Sequence, residues 1–413
     1  MKSYAFKFVR IGFLCFMAVP LIFAKAQADV STFWDSPANV EAIAWSPDGT
    51  LIALAGGGTP CEPQGQANYD IRIYDTTSGL LMQRLVGHTC IVTSLAWSPD
   101  GTRLVSTSMD AQVKVWAVQT STLLFSQPTR SMSGWAVSWS PDGSRIAVSP
   151  LYSYIISVID ARTGERIAEL GGGDFWDIGW SQDGTKLFAT TSEAEIKIFD
   201  VNASSDLITL SLQTAQIADA EWSPDGELLA ASTVEGMIYV WSTQDWSVEN
   251  TITTVNSSIS EIEWGVDNDE LLIVDGQENI RSVNRVTGNS NLILPSREII
   301  LTLTRSPYGG RIAYGISVPP EVDISNLQLG ANEDIIEQGA FTIVPNPSPE
   351  RLQAITDACG LQPAADQALT AQISTQDYAG FTTQLEALPE TALPPGCRAD
   401  LLAVAAALSA QGE

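Results

Sequence analysis

The sequence predicts an all-β fold, a seven-bladed β-propeller, followed by a small disulfide-clipped α-helical module at the C-terminus. Three observations favour this fold: a turn motif that recurs at a near-constant period, period-two alternation between the turns, and helix-like patterning only after about residue 348. We predict a signal peptide over residues 1–28, the propeller over 29–345 and the helical module over 346–413.

The recurring motif is an anchor residue, usually tryptophan, followed by Ser-Pro-Asp-Gly, as in Trp97–Gly101. Proline fixes φ at the second turn position, and glycine tolerates the left-handed conformation that closes a hairpin. Successive anchors are separated by 52, 42, 41, 42, 42 and 41 residues, and the long first interval contains an insertion over 56–68. This period, with about four short strands per unit, is typical of a propeller blade. The seven anchors are Trp45, Trp97, Trp139, Trp180, Trp222, Trp264 and Arg305.

Strands are predicted between the anchors by alternating segments such as "QVKVWAV" (112–118) and "EIKIFDV" (195–201). An unpaired blade edge would remain open, so ring closure needs a strand from the other end of the chain. Either "STFWD" (31–35) or "FTIV" (341–344) can supply it.

The C-terminal segment has the pattern of helices. Ser348 is the expected N-cap of a helix beginning at Pro349 and including "ERLQAITDAC", and further helices are predicted over 376–388 and 397–411. The last has an amphipathic face formed by Leu401, Leu402, Val404, Ala405 and Leu408. Two alternatives stay open: the module packs on the propeller, or it binds a partner separately.

The N-terminus has the pattern of a secretory signal. Basic residues precede an apolar run over 11–24, and Ala26-Gln27-Ala28 forms a small-x-small site, which predicts cleavage after Ala28. An uncleaved anchor is the alternative, but the run is shorter than the roughly 20 residues that a span needs. We therefore expect a secreted or periplasmic protein with no membrane attachment after cleavage.

Four cysteines remain after cleavage, an even number that suits an oxidising compartment. Propeller topology places the loop between strands two and three beside the loop between blades, which favours Cys61 with Cys90 and leaves Cys359 with Cys397. Metal binding is the competing use, but these thiols and the single histidine, His88, do not make a zinc set. We expect no metal and no cofactor.

The net charge of −27 becomes −31 on cleavage, because the signal peptide carries four basic residues and no acidic one. Such an acidic protein repels phosphate backbones and anionic head groups, which argues against nucleic acid as a partner. The acidic segments "VDNDE" (266–270) and "VDGQEN" (274–279) lack the ligand spacing of a calcium loop.

The stretch from Gly87 to Val118 resembles the repeat of the WD-repeat β-propeller family, and the resemblance covers roughly residues 38–318. It implies a structural network of His88, Ser106 or Ser108, Asp110 and Trp116. Gly-His occurs once, and the aspartate has no clear equivalent in blades four to six. Periplasmic propellers of the Tol type share the Ser-Pro-Asp-Gly turn, so the subfamily stays open.

The resemblance also implies a partner-binding surface on the wide face, formed by the residues six and four places before each anchor. The register gives Asn39, Glu41, Ile91, Thr93, Ser133, Trp135, Asp174, Trp176, Gln216, Ala218, Ser258, Ser260, Ile299 and Leu301. We expect Trp135 and Trp176, with Asp174, Ser133, Glu41 and Thr93, to form the site. The alternative is that both tryptophans plug the channel or pack under the insertion of blade one.

No Gly-x-Ser-x-Gly elbow, P-loop, His-Glu-x-x-His or nucleotide fingerprint occurs, and the one histidine has a structural role in the resemblance. We therefore predict a non-enzymatic exported scaffold, monomeric, that binds another protein. The alternative is an exported propeller that binds carbohydrate or a small ligand, with weak hydrolytic activity.

Overall fold

The computed structural model describes residues 31–33, 39–57, 61, 69–129, 133–151, 154–212, 215–254, 258–266, 268–296, 299–317, 341–345, 349–361, 363–389 and 392–411. The strands described there form seven four-stranded antiparallel sheets, and four helices follow them. An all-β propeller with a C-terminal helical module is thus confirmed. The predicted signal peptide and Ser348 lie outside the described residues.

Six sheets are each built from four consecutive strands, paired in chain order. Blade one contains β2 (Val40–Trp45), β3 (Leu51–Gly56), β4 (Ile71–Asp75) and β5 (Leu81–Leu85). Blade two contains β6 (Val92–Trp97), β7 (Arg103–Ser108), β8 (Gln112–Ala117) and β9 (Thr122–Pro128). Blade three contains β10 (Gly134–Trp139), β11 (Arg145–Pro150), β12 (Ile155–Asp160) and β13 (Arg166–Gly171). Blade four contains β14 (Phe175–Trp180), β15 (Lys186–Thr191), β16 (Glu195–Asp200) and β17 (Ser205–Ser211). Blade five contains β18 (Ile217–Trp222), β19 (Leu228–Thr233), β20 (Met237–Ser242) and β21 (Val248–Thr253). Blade six contains β22 (Ile259–Trp264), β23 (Glu270–Asp275), β24 (Ile280–Asn284) and β25 (Ser290–Leu294).

The seventh sheet is composite and joins the two ends of the propeller. Its first three strands are β26 (Ile299–Arg305), β27 (Arg311–Ser317) and β28 (Phe341–Pro345), and its outer strand is β1 (Ser31–Phe33), which pairs with β28. Both segments considered for closure are therefore used. The inner strand of each blade contacts that of the next, and β26 contacts β2, so the ring closes.

The turn after each anchor links the first and second strands of its blade, and it is Ser-Pro-Asp-Gly in blades one, two, three and five. In blade one, Ser46 Oγ donates to Asp48 Oδ1 at 2.6 Å, and the Thr50 backbone N–H donates to the same oxygen at 3.1 Å. Blades two to five repeat the serine-to-aspartate bond at 2.5–2.6 Å. Hydrogen bonds from Ser140 and Ser144 lower the pKa of Asp142 to about 2, so this aspartate is ionised.

Neighbouring blades are joined by the anchor side chains. The indole N–H of Trp97 donates to the Ala44 carbonyl of blade one at 2.9 Å, and Trp222 and Trp264 reach the preceding blade in the same way. Arginines of the second strands lie over the next blade's anchor, with Arg103 over Trp139 and Arg145 over Trp180 at 4.9 and 4.8 Å from the ring centroids. The tryptophans therefore stabilise the seams between blades as well as the blades themselves.

Four helices form the C-terminal module: α1 (Pro349–Ala358), α2 (Pro363–Ser374), α3 (Tyr378–Ala387) and α4 (Pro395–Gln411). Three were predicted, whereas α2 was not, because its alanine-rich sequence has only Leu369 and Ile373 as large buried apolar residues. The predicted face of α4 is buried at Leu401, Val404, Ala405 and Leu408, and Leu402 packs at the edge of the same core. None of the helices in the described residues has the length and apolar character required to cross a membrane.

Both predicted disulfides are present. Cys61, in the insertion of blade one, is bonded to Cys90, in the loop between β5 and β6, with a Cα–Cα distance of 4.7 Å. Cys359, just after α1, is bonded to Cys397 in the first turn of α4, at a Cα–Cα distance of 6.0 Å. The topology argument therefore selected the correct pairing.

The helical module packs on the propeller at the seam between blades seven and one. Asp400 of α4 is fully buried and bonds to Arg311 Nε at 2.5 Å, while Ser306 Oγ donates to the same carboxylate. The Gly310 backbone N–H donates to Asp400 at 3.1 Å. In blades one to five these bonds are made by the aspartate of the turn, which Tyr308 replaces in blade seven.

Arg311 performs at this seam the role that Arg103 and Arg145 have elsewhere. Its guanidinium lies over Trp45 at 4.9 Å and donates to the carbonyls of Thr76 and Gly49 of blade one at 3.2 and 3.1 Å. The close approach requires glycine at Gly396, because a Cβ there would lie 1.8 Å from the Asp48 carbonyl oxygen. The module is thus part of ring closure.

Replacing Asp400 with asparagine should lower the free energy of unfolding by about 3 kcal/mol, because the Arg311 charge then remains buried without its anion. Urea unfolding followed by tryptophan fluorescence measures the change. Glu386→Gln, which removes a carboxylate from an exposed position on α3, is the matched control and should have little effect. Equal stability of the two variants would show that Asp400 does not hold the seam.

Candidate functional site

A cavity of about 310 Å³, here called the channel mouth, lies at the starts of the inner strands. It is lined by eleven of the fourteen residues in the predicted register: Asn39, Glu41, Ile91, Thr93, Trp135, Trp176, Gln216, Ala218, Ser258, Ser260 and Leu301. Ser133, Asp174 and Ile299 are outside this lining. Ser133 and Asp174 lie in the loops just before β10 and β14 begin, and Ile299 is the first residue of β26.

Trp135 and Trp176 are brought together at this mouth. Trp135 is on β10 and Trp176 on β14, and their rings meet edge to face with centroids 5.8 Å apart and planes at 85°. Both side chains are partly exposed, and Trp135 also packs against the core between blades three and four. The pair therefore combines a fixed position with accessible aromatic surface.

Thr93 has a structural contact as well as a place in the lining. Its hydroxyl donates to the Gly134 carbonyl of blade three at 3.1 Å. Gly134 has no room for a side chain, because a Cβ there would lie 2.9 Å from Thr107 Cβ. This close approach fixes the backbone immediately before Trp135.

Three acidic residues of the lining were not in the predicted register: Asp177, Asp219 and Glu261, each three places before its anchor. Every inner strand has a register shift at this level, for example between Ile217 and Asp219 and between Ile259 and Glu261. Such a bulge sets an additional residue against the partner strand, so the residues four and three places before the anchor both face the cavity. The repeat spacing gives no signal of the bulge.

Blade two contains the complete predicted network. His88 Nδ1 is 2.8 Å from Asp110 Oδ2, and His88 Nε2 is 2.8 Å from Ser106 Oγ. The Trp116 indole N–H donates to the same Ser106 hydroxyl at 2.9 Å. Burial opposes ionisation of Asp110, but its hydrogen bonds with His88, Thr89 and Gln112 lower its pKa. His88 is thereby buried in structural contacts.

Ser106, rather than Ser108, joins His88 to Trp116. Ser108 Oγ instead donates to the Cys90 carbonyl at 3.0 Å and accepts the Asp110 backbone N–H at 3.0 Å. Ser108 therefore fixes the two loops that carry the network and the Cys61–Cys90 disulfide. The equivalent of Ser106 in blade five is Ala231, although Trp241 keeps the position of Trp116.

A second group of carboxylates lies deeper, at the seams of blades five, six and seven. Glu221 accepts the Trp264 backbone N–H at 2.5 Å, and Glu263 accepts the Arg305 backbone N–H at 3.3 Å. Burial raises the pKa of Glu263 to about 7, and burial together with the neighbouring Glu263 raises the pKa of Glu221 well above its ordinary value. The Arg305 guanidinium opposes both shifts.

Within the described residues, no group of three or more histidine, cysteine, aspartate or glutamate side chains is placed to hold a metal ion. The carboxylates of the mouth are distributed around it on different blades. What the arrangement offers chemically is an aromatic pair beside negative charge, on a rigid ring.

Comparison with known proteins gives consistent matches. The profile of the WD domain, G-beta repeat, matches residues 79–117 and 205–242, which cover the first three strands of blades two and five. The chain is 25% identical over 181 residues to the COMPASS component SWD3 of Saccharomyces cerevisiae, covering 41% of this chain and 54% of that protein. It is 28% identical over 180 residues to the WD repeat-containing protein 1 of Bos taurus, covering 42% and 28%. The matches thus span about half or less of these relatives.

Replacing Ser106 with alanine should lower the free energy of unfolding by roughly 1–3 kcal/mol, because His88 and Trp116 lose their shared buried partner. Chemical denaturation measures the loss. Ser211→Ala is the control, since the Ser211 hydroxyl is exposed and bonds only to Glu195 in this chain's described contacts. A Ser106→Ala protein as stable as the control would argue against a structural role for the network.

The glutamates at the seams predict a pH dependence with a definite sign. A carboxyl whose pKa is raised on folding binds its proton more tightly in the folded state, so its contribution to stability is lost as pH rises from about 4.5 to about 7. Glu263→Gln should reduce the slope of the free energy of unfolding against pH by up to about 1.4 kcal/mol per pH unit, which is the limit for one proton.

Unfolding free energies at pH 5, 6, 7 and 8 test this prediction, and Glu227→Gln, an exposed carboxylate on a Ser-Pro-Asp-Gly turn, corrects for the general effect of negative charge. Parallel pH profiles for Glu263→Gln and the unmodified protein would contradict a raised pKa.

Proposed function

Because the chain belongs to the WD-repeat β-propeller family, we propose that it is a non-enzymatic scaffold that binds another protein through the wide face of the propeller. The similar proteins include the COMPASS component SWD3, whose name describes a component. The residues with catalytic potential also have structural contacts: His88 belongs to the network of blade two, and Glu221 and Glu263 belong to the seams.

The observation that carries the proposal is the tryptophan pair at the mouth. Blade packing does not require these rings, because the same register position is Glu41, Thr93, Ala218, Ser260 or Leu301 in other blades. Large, partly exposed aromatic side chains in a recess supply most of the binding energy at many protein interfaces. The edge-to-face contact and the bond from Thr93 to Gly134 hold the pair in place, so little entropy is lost on binding.

We also propose that the protein is exported and works in an oxidising compartment. The support is the signal-like pattern of residues 1–28 together with two disulfides that join all four cysteines of the predicted mature chain. The acidic composition agrees with solubility outside the cell. N-terminal sequencing of protein from culture medium or periplasm tests this: a first residue of Asp29 supports export, and intact residues 1–28 would contradict it.

Changing both Trp135 and Trp176 to alanine should weaken partner binding by at least about 2 kcal/mol, close to thirtyfold, while the propeller stays folded. The partner is obtained by affinity purification with the mature chain from its native medium, cross-linked and identified by mass spectrometry. Affinity is then measured with the purified partner, and circular dichroism checks the fold.

Trp246→Ala is the matched control, since Trp246 is a partly buried tryptophan in a turn between the third and fourth strands of blade five. Retained affinity in this control with loss in the double variant supports the wide face. Unchanged affinity in the double variant would place the binding surface elsewhere.

A further inference from the structure

We propose that Glu221 and Glu263 form a proton-dependent latch beneath the channel mouth. With a proton bound, the latch holds blades five, six and seven together, and loss of the proton loosens the strands that form their side of the mouth. The inference rests on the proposed function for the use of the mouth and adds a control on it. The position of the two side chains, their hydrogen bonds and their charge balance support the latch.

Glu221 and Glu263 lie one level below the lining of the mouth. Side chains alternate across a strand, so the residue just before an anchor faces the channel on the same side as the residue three places before it. Asp219 and Glu261 line the mouth from that upper position, and no register shift separates the two levels on β18 or β22. The other five blades have small side chains at the lower level: Ala44, Ala96, Ser138, Gly179 and Thr304.

Each glutamate of the latch bonds to the next blade. Glu221 Oε2 accepts the backbone N–H of Trp264 at 2.5 Å, and Glu263 Oε1 accepts the backbone N–H of Arg305 at 3.3 Å. These bonds join β18 to β22 and β22 to β26. Both β22 and β26 also contribute residues to the lining of the mouth. A change at the latch therefore acts on strands whose first residues form the binding surface.

The charge balance of the latch favours one bound proton. The Arg305 guanidinium interacts with both glutamates, and Asp219 adds negative charge beside them. One cation does not neutralise two carboxylates, and burial beside a like charge favours protonation of one of them. The inner strands β14, β18, β22 and β26 present these charged groups toward the channel or the seam: Asp177, Asp219, Glu221, Glu261, Glu263 and Arg305.

The raised pKa values of the latch give the direction of its response to pH. Burial raises the pKa of Glu263 to about 7, and burial together with the neighbouring Glu263 raises the pKa of Glu221 well above its ordinary value. The folded ring thus binds the proton more tightly than the unfolded chain does. Its stabilisation is complete below the ordinary pKa of 4.5 and is lost as the pH rises through about 7.

Backbone hydrogen exchange of the mature full chain, followed by mass spectrometry, tests the latch without a partner. After scaling for the intrinsic effect of pH on exchange, β22 and β26 should exchange at least about threefold faster at pH 8 than at pH 5, whereas β6 should not change. In the combined Glu221→Gln and Glu263→Gln variant, each glutamine keeps an oxygen for the N–H but does not ionise, so this difference should disappear. Glu227→Gln removes an exposed carboxylate from the turn of blade five and should leave the difference intact.

Affinity for the purified partner tests the link between the latch and the mouth. Because groups of the partner also titrate, the quantity compared is the dissociation constant of the unmodified chain divided by that of the double glutamine variant at the same pH. This ratio should rise at least about fivefold from pH 5 to pH 8, since only the unmodified chain loses the proton of the latch. Glu263→Gln alone, which should shrink the pH effect on β26, replaces the double variant if the latter does not fold.

Equal effects of pH on β6, β22 and β26 would overturn the inference, and so would β22 and β26 strands that stay pH-sensitive in the glutamine variants. An affinity ratio that is the same at pH 5 and pH 8 would also overturn it, because the latch then does not act on the mouth. The proposed function fails separately. If the Trp135 and Trp176 double variant keeps the partner, binding lies elsewhere, and the exchange measurement decides the latch by itself.

Discussion

The contact on which the whole ring depends is made by the anchor side chain, which belongs to one blade and bonds to another. A four-stranded sheet of this size has two faces to cover, and neither is covered within its own blade. The Trp97 indole, for example, fills the seam and donates to the Ala44 carbonyl of the preceding blade. The same strand begins at the channel mouth five residues earlier, so the seam also fixes the positions of the mouth residues.

The contact between neighbouring blades must also form where the ring closes, although the seventh repeat lacks the anchor tryptophan and the turn aspartate. Arg305 stands where the other repeats have tryptophan, and its guanidinium bonds to the Trp264 carbonyl and so keeps the link to blade six. Tyr308 replaces the turn aspartate, and Asp400 from α4 takes over its bonds to Ser306 and Gly310. A helix remote in sequence thus completes a propeller repeat and ties the module to the ring.

Features that recur along the chain could be predicted from the sequence, because each copy supports the others. The period and the turns follow from spacing, both disulfides follow from topology, and the network of His88 was implied by the resemblance of Gly87–Val118 to the WD repeat. Contacts between segments remote in sequence, and features that depend on a small displacement of the backbone, could not be predicted. Asp400 is an ordinary acidic residue in a helix until blade seven is placed beside it, and the bulge that turns Asp177, Asp219 and Glu261 into the cavity has no sequence signature.

Some positions of the repeat hold nearly the same residue in every blade, and others differ from blade to blade. This difference indicates which residues of the channel mouth are not required for packing. At the seams, the ring requires nearly the same residue in each blade, whereas four and three places before the anchor it accepts Trp, Glu, Asp, Thr, Ser, Ala and Leu. Packing therefore does not explain an aromatic pair beside three carboxylates.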